Sequence, residues 1–571
     1  MKKFFRIAVA ALFSLSLLGT AACGPSEGPE IDETKAQLYV GNFDGGFGSD
    51  WINTVAARFE EKYQNTVFWE GTQGVQVIIE GSKTTGKTLI DTIATQKQDV
   101  FFTEQGFYYD GASQGKFLDI TDIVKEDLTE KYGEEGSIYD KLNETQKDYY
   151  DYNGKIYAIP HYASYFGLSY DIDLFEKQNL YYAKNPTTST GLVTSKTQER
   201  SLGPDGKTGI IDGVDYSADD GLPATYDELF ALCDVMTKKG ITPFLWSGMV
   251  RQGYIDYFLG ALYADYEGEK NMMLNYTFNG TSKDLVSSLS TDSSGKITDI
   301  SFRDETPISK RNGYELINQA GRAYALSFVD RMTSNVSYFH DDAKNESVSH
   351  TGAQLTYLES SLINKPVAFF IDGSYWENEA EASGAFDQLV GEYGARAARE
   401  NRRFGYMPLP KAETGMAGGA TLYDYLYSLA FINANIADKS VEMAKLFLQF
   451  CYTDESLVEF TVITNTPRAL NYDIPQDVLE EMSAYGKSVF ALKNNPNTSI
   501  VYPYSTDPMY LNNQSSFNLL SQWTSVVNGT AKSYAIDAFR KDGINAKDYF
   551  LGMATVHSKT VWDNSYSKYF D

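Results

Sequence analysis

Residues 37–59 read QLYVGNFDGGFGSDWINTVAARF and hold one complete strand, glycine loop and helix. The apolar run from Gln37 to Asn42 stops at Asp44-Gly45-Gly46-Phe47-Gly48, where glycines free the backbone from strand geometry. Ser49 and Asp50 stand at a helix start, and Trp51, Val55 and Phe59 recur every fourth residue, as one apolar helix face requires. The unit recurs. Val75–Glu80 passes through a Gly/Thr loop into Leu89, Ile90 and Ile93, and Asp99–Phe102 runs into Thr103-Glu104-Gln105. Strands alternating with helices predict a parallel α/β sheet, and in such sheets ligands sit beyond the carboxyl ends of the strands.

Further on, Asn153–Pro160 is a turn feeding a short strand, followed by the aromatic stretch His161–Tyr165. The polar passage Pro186–Leu222 reads as a surface insertion. Thr225 and Glu228 form a capping box for a helix with Leu229, Leu232 and Met236 inside, ending at Gly240. Ile241–Trp246 is strand-like and leads to Ser247, and Asn279–Ser309 is polar enough to predict loops. Pro366–Ile371 is a buried strand ending at Asp372-Gly373-Ser374-Tyr375-Trp376. Phe404–Leu409 is strand-like, Tyr423–Phe431 apolar and Val441–Phe450 helical. No internal repeat is present.

With 571 residues, 42% hydrophobic and 22% charged, the chain is globular, with neither the composition of a disordered chain nor that of a polytopic membrane protein. Its formal charge is −27, and loss of residues 1–22, which carry Lys2, Lys3, Arg6 and no acid, takes it to −30. Such a body repels nucleic acid and anionic headgroups. Its 42 Tyr suit half-wet surfaces that touch polyhydroxylated ligands, or else ordinary packing.

Lys2, Lys3 and Arg6 precede an apolar run, Ile7–Leu18, and small residues then lead into Cys23-Gly24. This order predicts a secretory signal at 1–22, a lipidated Cys23 and a polar tether at 23–34. The segment resembles a bacterial lipobox, with Thr20 where Leu, Val or Ile is usual; plain signal cleavage is the alternative. Cys233 and Cys451 make no disulfide framework and read as buried thiols.

Gly81–Thr88 satisfies the P-loop pattern after a strand and before a helix, and Val367–Asp372 could supply an acidic partner strand. Yet ATP is scarce where an export signal sends a chain, and the pattern also arises in Gly/Thr-rich loops. Four histidines without a His-x-x-x-His pair, and no Cys-x-x-Cys, argue against zinc. No Gly-x-Ser-x-Gly elbow appears. Asp205, Asp212, Asp219 and Asp220 in a Gly-rich loop are a weak calcium candidate without EF-hand spacing, and a solvated acidic loop explains them better. Nothing among the acids singles out a glycosidase pair. Asp44, Glu104 and Asp372 at strand ends read as acceptors for ligand hydroxyls. Phe47, Trp51, Tyr165, Trp246, Tyr375 and Trp376 lie at or past strand ends, though each could be a core residue, Trp51 above all.

Taken in order, these pieces resemble the sugar-binding lipoproteins of carbohydrate ABC importers, the family that includes maltose-binding protein. The matching segments are the Gly-rich turn into the Trp51 helix, Asp99-Val100, Gly115–Thr121, Asn153–Pro160 leading to Tyr170, Pro223–Glu228, Asp372–Trp376 and Thr466-Pro467-Arg468. Asp171 departs from the family's usual Asn, and the two polar insertions add length. The resemblance implies an α/β, two-lobed periplasmic-binding-protein-like fold (type II) with a ligand cleft between lobes joined by crossing hinge strands. Lobe one would hold 35–163 and 411–470, lobe two 164–410 and 471–571, with hinges near Ala163 and Pro408. Ligand contacts would come from Asp44, Phe47, Trp51, Glu104, Gln105, Ser164, Tyr165, Trp246, Ser247, Asp372, Tyr375, Trp376 and Arg468.

The implied protein is a lipid-anchored monomer on the extracellular face of the membrane. It captures a saccharide, an oligosaccharide by preference, and delivers it to an ABC permease, with no cofactor, no nucleic acid partner and no covalent chemistry. The rival readings are a lipoprotein glycoside hydrolase, a surface adhesin and a P-loop enzyme.

Overall fold

The strand Ala36–Asn42 (β1) buries Ala36, Leu38 and Val40 at alternate positions, the period of a pleated strand. The computed structural model describes residues 30–570 other than 83, 106, 213, 417, 504, 513 and 520–522. The predicted leader, Cys23 and the first part of the tether lie outside the described residues. Two sheets are built from β1, β2 (Val75–Gly81), β3 (Val100–Thr103), β4 (Ile159–Pro160), β5 (Phe166–Asp171), β6 (Thr242–Leu245), β7 (Val367–Gly373), β8 (Phe404–Met407) and β9 (Leu429–Ile432). The first sheet has five strands in the order β2-β1-β3-β9-β4, and the second has four in the order β8-β5-β7-β6.

In the first sheet β1 is parallel to β2 and β3, as its strand-helix alternation predicts, and β9 is antiparallel to β3 and β4. The reversal comes from topology: β9 enters this sheet from the second one. The Asp50–Lys62 helix packs on β2 and carries Trp51, Val55 and Phe59, all fully buried. Close packing demands Gly41, because a Cβ there would lie 2.8 Å from the Phe101 ring. In the second sheet all seven residues of β7 are buried, as befits a central strand covered on both faces.

The chain passes between the sheets at 161–165, at 408–428 and again beyond Arg468. The passages are tied together. Tyr162 bridges Arg468 and Tyr165 bridges Asp424, the Ala163 amide donates to the Pro467 carbonyl at 3.0 Å, and the Ser428 hydroxyl donates to the Tyr162 carbonyl at 2.9 Å. After the last passage the Ala484–Asn494 helix lies on β8, where the Tyr406 amide donates to Ser488 Oγ at 2.8 Å.

Two stretches differ from their sequence reading. The polar segment 279–309 is not loop but two antiparallel ladders, Gly280–Ser282 with Thr306–Ile308 and Val286–Thr291 with Ile297–Phe302. Only Val286 and Leu289 of their long strand are buried, and a bulge breaks the alternation, so the period of two is hidden. The Arg251–Thr277 helix, interrupted at Gly268 (φ 71°, ψ 165°), follows Ser247-Gly248 with no strong amphipathic stripe because it is buried on several sides.

Candidate functional site

The loop after β1 is set by glycine. Gly45 has φ +40°, and the Gly45–Phe47 turn brings the Phe47 ring 3.9 Å from Tyr162 and 5.6 Å from Tyr375 of the other lobe. The Tyr375 and Tyr425 hydroxyls are 3.1 Å apart. Asn378 donates to the Gly46 carbonyl at 2.9 Å. The lobes therefore touch directly, and the cleft is closed along this edge.

Glu104, at the end of β3, accepts from the Tyr162 hydroxyl. Burial pushes its carboxyl up to about 7, against the lowering effect of Tyr162 and with a smaller push from the Glu379 charge. Asp44, exposed, accepts from Asn42 Nδ2 at 3.0 Å. Structure thus gathers Phe47, Glu104 and Tyr375 around Tyr162 and Tyr425.

Other residues named from the sequence are structural. Trp51 is fully buried, edge-on to Phe102 and Phe460 and 4.7 Å below the Arg468 guanidinium. Trp246 packs on Phe339, and Trp376 donates to Ser169 Oγ at 2.9 Å inside a ring of Tyr357, Phe370, Phe404 and Tyr485. Strand ends place these tryptophans near a cleft, but the faces they occupy turn them into the core. Arg468 is buried between Trp51, Tyr452 and Phe460, with His161 beside it, and burial lowers its affinity for a proton. Ser247 donates to the Val348 carbonyl, Asp372 accepts from the Gly373 amide, the Ser164 amide donates to Asp424 and the Tyr165 amide to Ser374 Oγ. All eight are buried.

The calcium candidate does not converge. Asp219 accepts from the Asp205 amide, Asp220 from the Thr208 hydroxyl, and Asp212 sits on an exposed hairpin. No group of three His, Cys, Asp or Glu among the described residues is placed to hold a metal. In the P-loop-like segment Lys87 pairs with Asp91 at 3.3 Å, and Asp372 belongs to the other sheet, so the acidic partner strand is in the wrong lobe.

A cavity of about 350 Å³ opens where the lobes meet the crossing segments. That volume is within the range of small-molecule sites, roughly 300–1,000 Å³. One wall is Gln105 and Phe107–Asp110 after β3. Another is Gly253, Asp256, Tyr257 and Gly260 of the long helix; Tyr423, Tyr425 and Tyr427 come from the second crossing, and Tyr510 and Trp523 close it. Nine of its lining residues are tyrosines. Tyr257 and Tyr425 lie 4.3 Å apart, and Gly260 leaves room for Tyr423, whose ring a Cβ would meet at 3.1 Å.

Backbone strain collects here. Among the described residues, Gln105 (φ 49°), Phe107 (φ 44°), Phe278 (φ 47°) and Tyr427 (φ 34°) are the left-handed residues that are not Gly, Asn or Asp, and three of these four line the cavity. Such positions cost about 1–3 kcal/mol each and cluster at binding sites. Of the residues named from the sequence, Gln105 alone lines this cavity. A signal for the others was present: Tyr423, Tyr425 and Tyr427 alternate within an otherwise apolar run.

Residues 54–487 match the family model described as bacterial extracellular solute-binding protein. Three solved structures share the fold. The SBP RafE in complex with raffinose is 12% identical, TM-score 0.50, over 92% of this chain and 100% of that one. A structure from work on xylan utilization by the thermophilic bacterium Caldanaerobius polysaccharolyticus is 15% identical, TM-score 0.52, over 91% and 99%. A chitin oligosaccharide binding protein is 14% identical, TM-score 0.51, over 93% and 99%. No curated protein matches the sequence. With crossing segments between two sheets, a closed cleft and a family match over most of its length, the chain belongs to the bacterial extracellular solute-binding proteins.

Proposed function

We propose that this solute-binding protein captures a saccharide, an oligosaccharide by preference, and hands it to the permease of an ABC importer. The observation that carries the reading is the cavity between the lobes with nine tyrosines in its lining. Tyrosine presents an apolar face to sugar C–H groups and a hydroxyl to sugar hydroxyls. Three neighbours of the same fold, named for raffinose, xylan utilization and chitin oligosaccharide, support it.

Capture needs only population shift. A ligand held by Gln105 on one side and Tyr257 on the other contacts both lobes when they are closed and one when they are open, so binding favours the closed form. No covalent step is part of this reading. The lobes are taken as 35–163 with 411–470 and 164–410 with 471–571. The chain acts as a monomer, anchored to the extracellular face of the membrane through a lipid on Cys23.

A thermal-shift screen of the full chain in detergent, against mono- and oligosaccharides, amino acids, peptides, calcium and ATP, tests it. Ligand at 100 times its dissociation constant adds about 2.7 kcal/mol. A selective oligosaccharide response is expected; a flat sugar series with a response to ATP, to a peptide or to nothing refutes the reading.

A further inference from the structure

The charges around the cavity are one-sided. Asp110 and Asp256 line it, and no Lys, Arg or His does among the described residues. Asp256, half-buried, differs from the other acids nearby. Glu104 accepts from Tyr162 and Asp372 from the Gly373 amide. Asp265, on the same helix as Asp256, is neutralised by Lys411 at 2.9 Å. Asp256 Oδ1, by contrast, is buried without a hydrogen-bond partner among the described residues. Burial alone governs its ionisation and raises its proton affinity, with no neighbouring charge to offset it.

We propose that the saccharide carries a protonated amine, and that Asp256 receives this amine among the tyrosine rings of the cavity. The inference rests on the saccharide reading and names its class: a sugar with a free amino group, in place of an acetylated or neutral one. A hydroxyl can supply a hydrogen bond to Asp256 but no charge to stabilise its carboxylate form, which burial otherwise disfavours. An ammonium supplies both. The rings of Tyr257 and Tyr425 at the same wall are electron-rich surfaces that attract a cation, and rings in a desolvated site do so more strongly. An anionic sugar would meet two carboxylates and no cation. The net charge of −27 draws cations towards the whole surface.

Titration calorimetry at pH 6 with three matched trisaccharides decides it: a glucosamine trimer, its N-acetylated counterpart and cellotriose, with spermidine as an amine that is no sugar. The glucosamine trimer is expected to bind at least about tenfold more tightly than the other two sugars. Asp256→Asn is expected to erase that preference, so that the variant binds the glucosamine trimer no more tightly than cellotriose, and Asp256→Glu, which keeps the charge, to retain it. Equal or tighter binding of the neutral trimers, or an undiminished preference in Asp256→Asn, overturns the amine and leaves the saccharide reading standing. Binding of spermidine alone, lost in Asp256→Asn, keeps an amine site and overturns the saccharide. Binding of none of the four overturns both. Melting temperatures accompany each titration, and the ligand ranking on the unaltered chain decides the matter even if Asp256→Asn does not fold.

Discussion

Asn378 donates from Nδ2 to the Gly46 carbonyl at 2.9 Å and so ties the Trp376–Ala382 helix of one lobe to the Gly45–Phe47 turn of the other. The approach depends on glycine, because a Cβ on Gly46 would lie 2.3 Å from the Tyr375 ring. Moving the lobes apart would break this bond. Asn378→Ala removes a contact worth about 1 kcal/mol, which is about fivefold in ligand affinity. Gly46→Ala is expected to do more, by holding the lobes apart. Calorimetry with the ligand identified by screening, and small-angle scattering with and without it, check both; unchanged affinity and full compaction in Gly46→Ala would count against closure at this edge.

Tyr257 and Trp376 separate binding from folding. Tyr257 is half-buried at the cavity wall, 4.3 Å from Tyr425, and Tyr257→Ala is expected to weaken ligand binding by about tenfold with little loss of melting temperature. Trp376 is fully buried and bonded to Ser169, so Trp376→Ala is expected to cost about 3–5 kcal/mol of stability. Chemical denaturation measures the second and titration the first. A stable Trp376→Ala protein that has lost only its ligand would place this tryptophan in the site.

Glu104 links stability to pH. Folding raises its carboxyl from an ordinary 4.5 to about 7, so the folded chain holds this proton where the unfolded chain has released it. Its contribution is therefore fully favourable below about 4.5 and is lost as pH rises through 7, a difference of about 3 kcal/mol. Asp424, pushed up to about 8 chiefly by burial, acts in the same direction. Glu104→Gln keeps an acceptor for Tyr162 without the charge. It is expected to stabilise the protein by about 1–3 kcal/mol at pH 8 and to leave pH 4.5 unchanged. Melting curves at the two pH values report this, and a variant equally altered at both would disprove the linkage.

The proposed lipid anchor makes Cys23 the residue that sets location. Cys23→Ala is expected to release the protein from the membrane fraction into the soluble one while leaving ligand-induced stabilisation intact, because the polar, breaker-rich sequence Gly24–Glu30 has the composition of a tether. Fractionation of cells carrying either form measures it. Equal membrane retention would point to plain signal cleavage or another anchor.

Local pattern made much of this fold legible. Gln37–Phe59 announces strand, glycine loop and helix because each element is decided by residues one to four apart, and β1 with the Asp50–Lys62 helix sits where that spacing predicts. The same locality hid the Val286–Thr291 ladder, whose bulge breaks the period, and the 251–277 helix, which is apolar on too many sides to show a stripe. It also misassigned the tryptophans: proximity to a strand end says how near a residue is to the cleft, but not which face it occupies.

The binding cavity was out of reach for a different reason. Gln105, Asp256 with Tyr257, Tyr425 and Trp523 come from four separate stretches of chain and share a cavity only because three passages between the sheets bring them together. Amino-acid order by itself determined the charge, the strands of the first sheet and the kind of fold. Tertiary structure decided which aromatics face a ligand, and it left one acid on the long helix unpaired while neutralising another. Those outcomes depend on burial and on contacts between distant residues, which carry no signature in the spacing of neighbours.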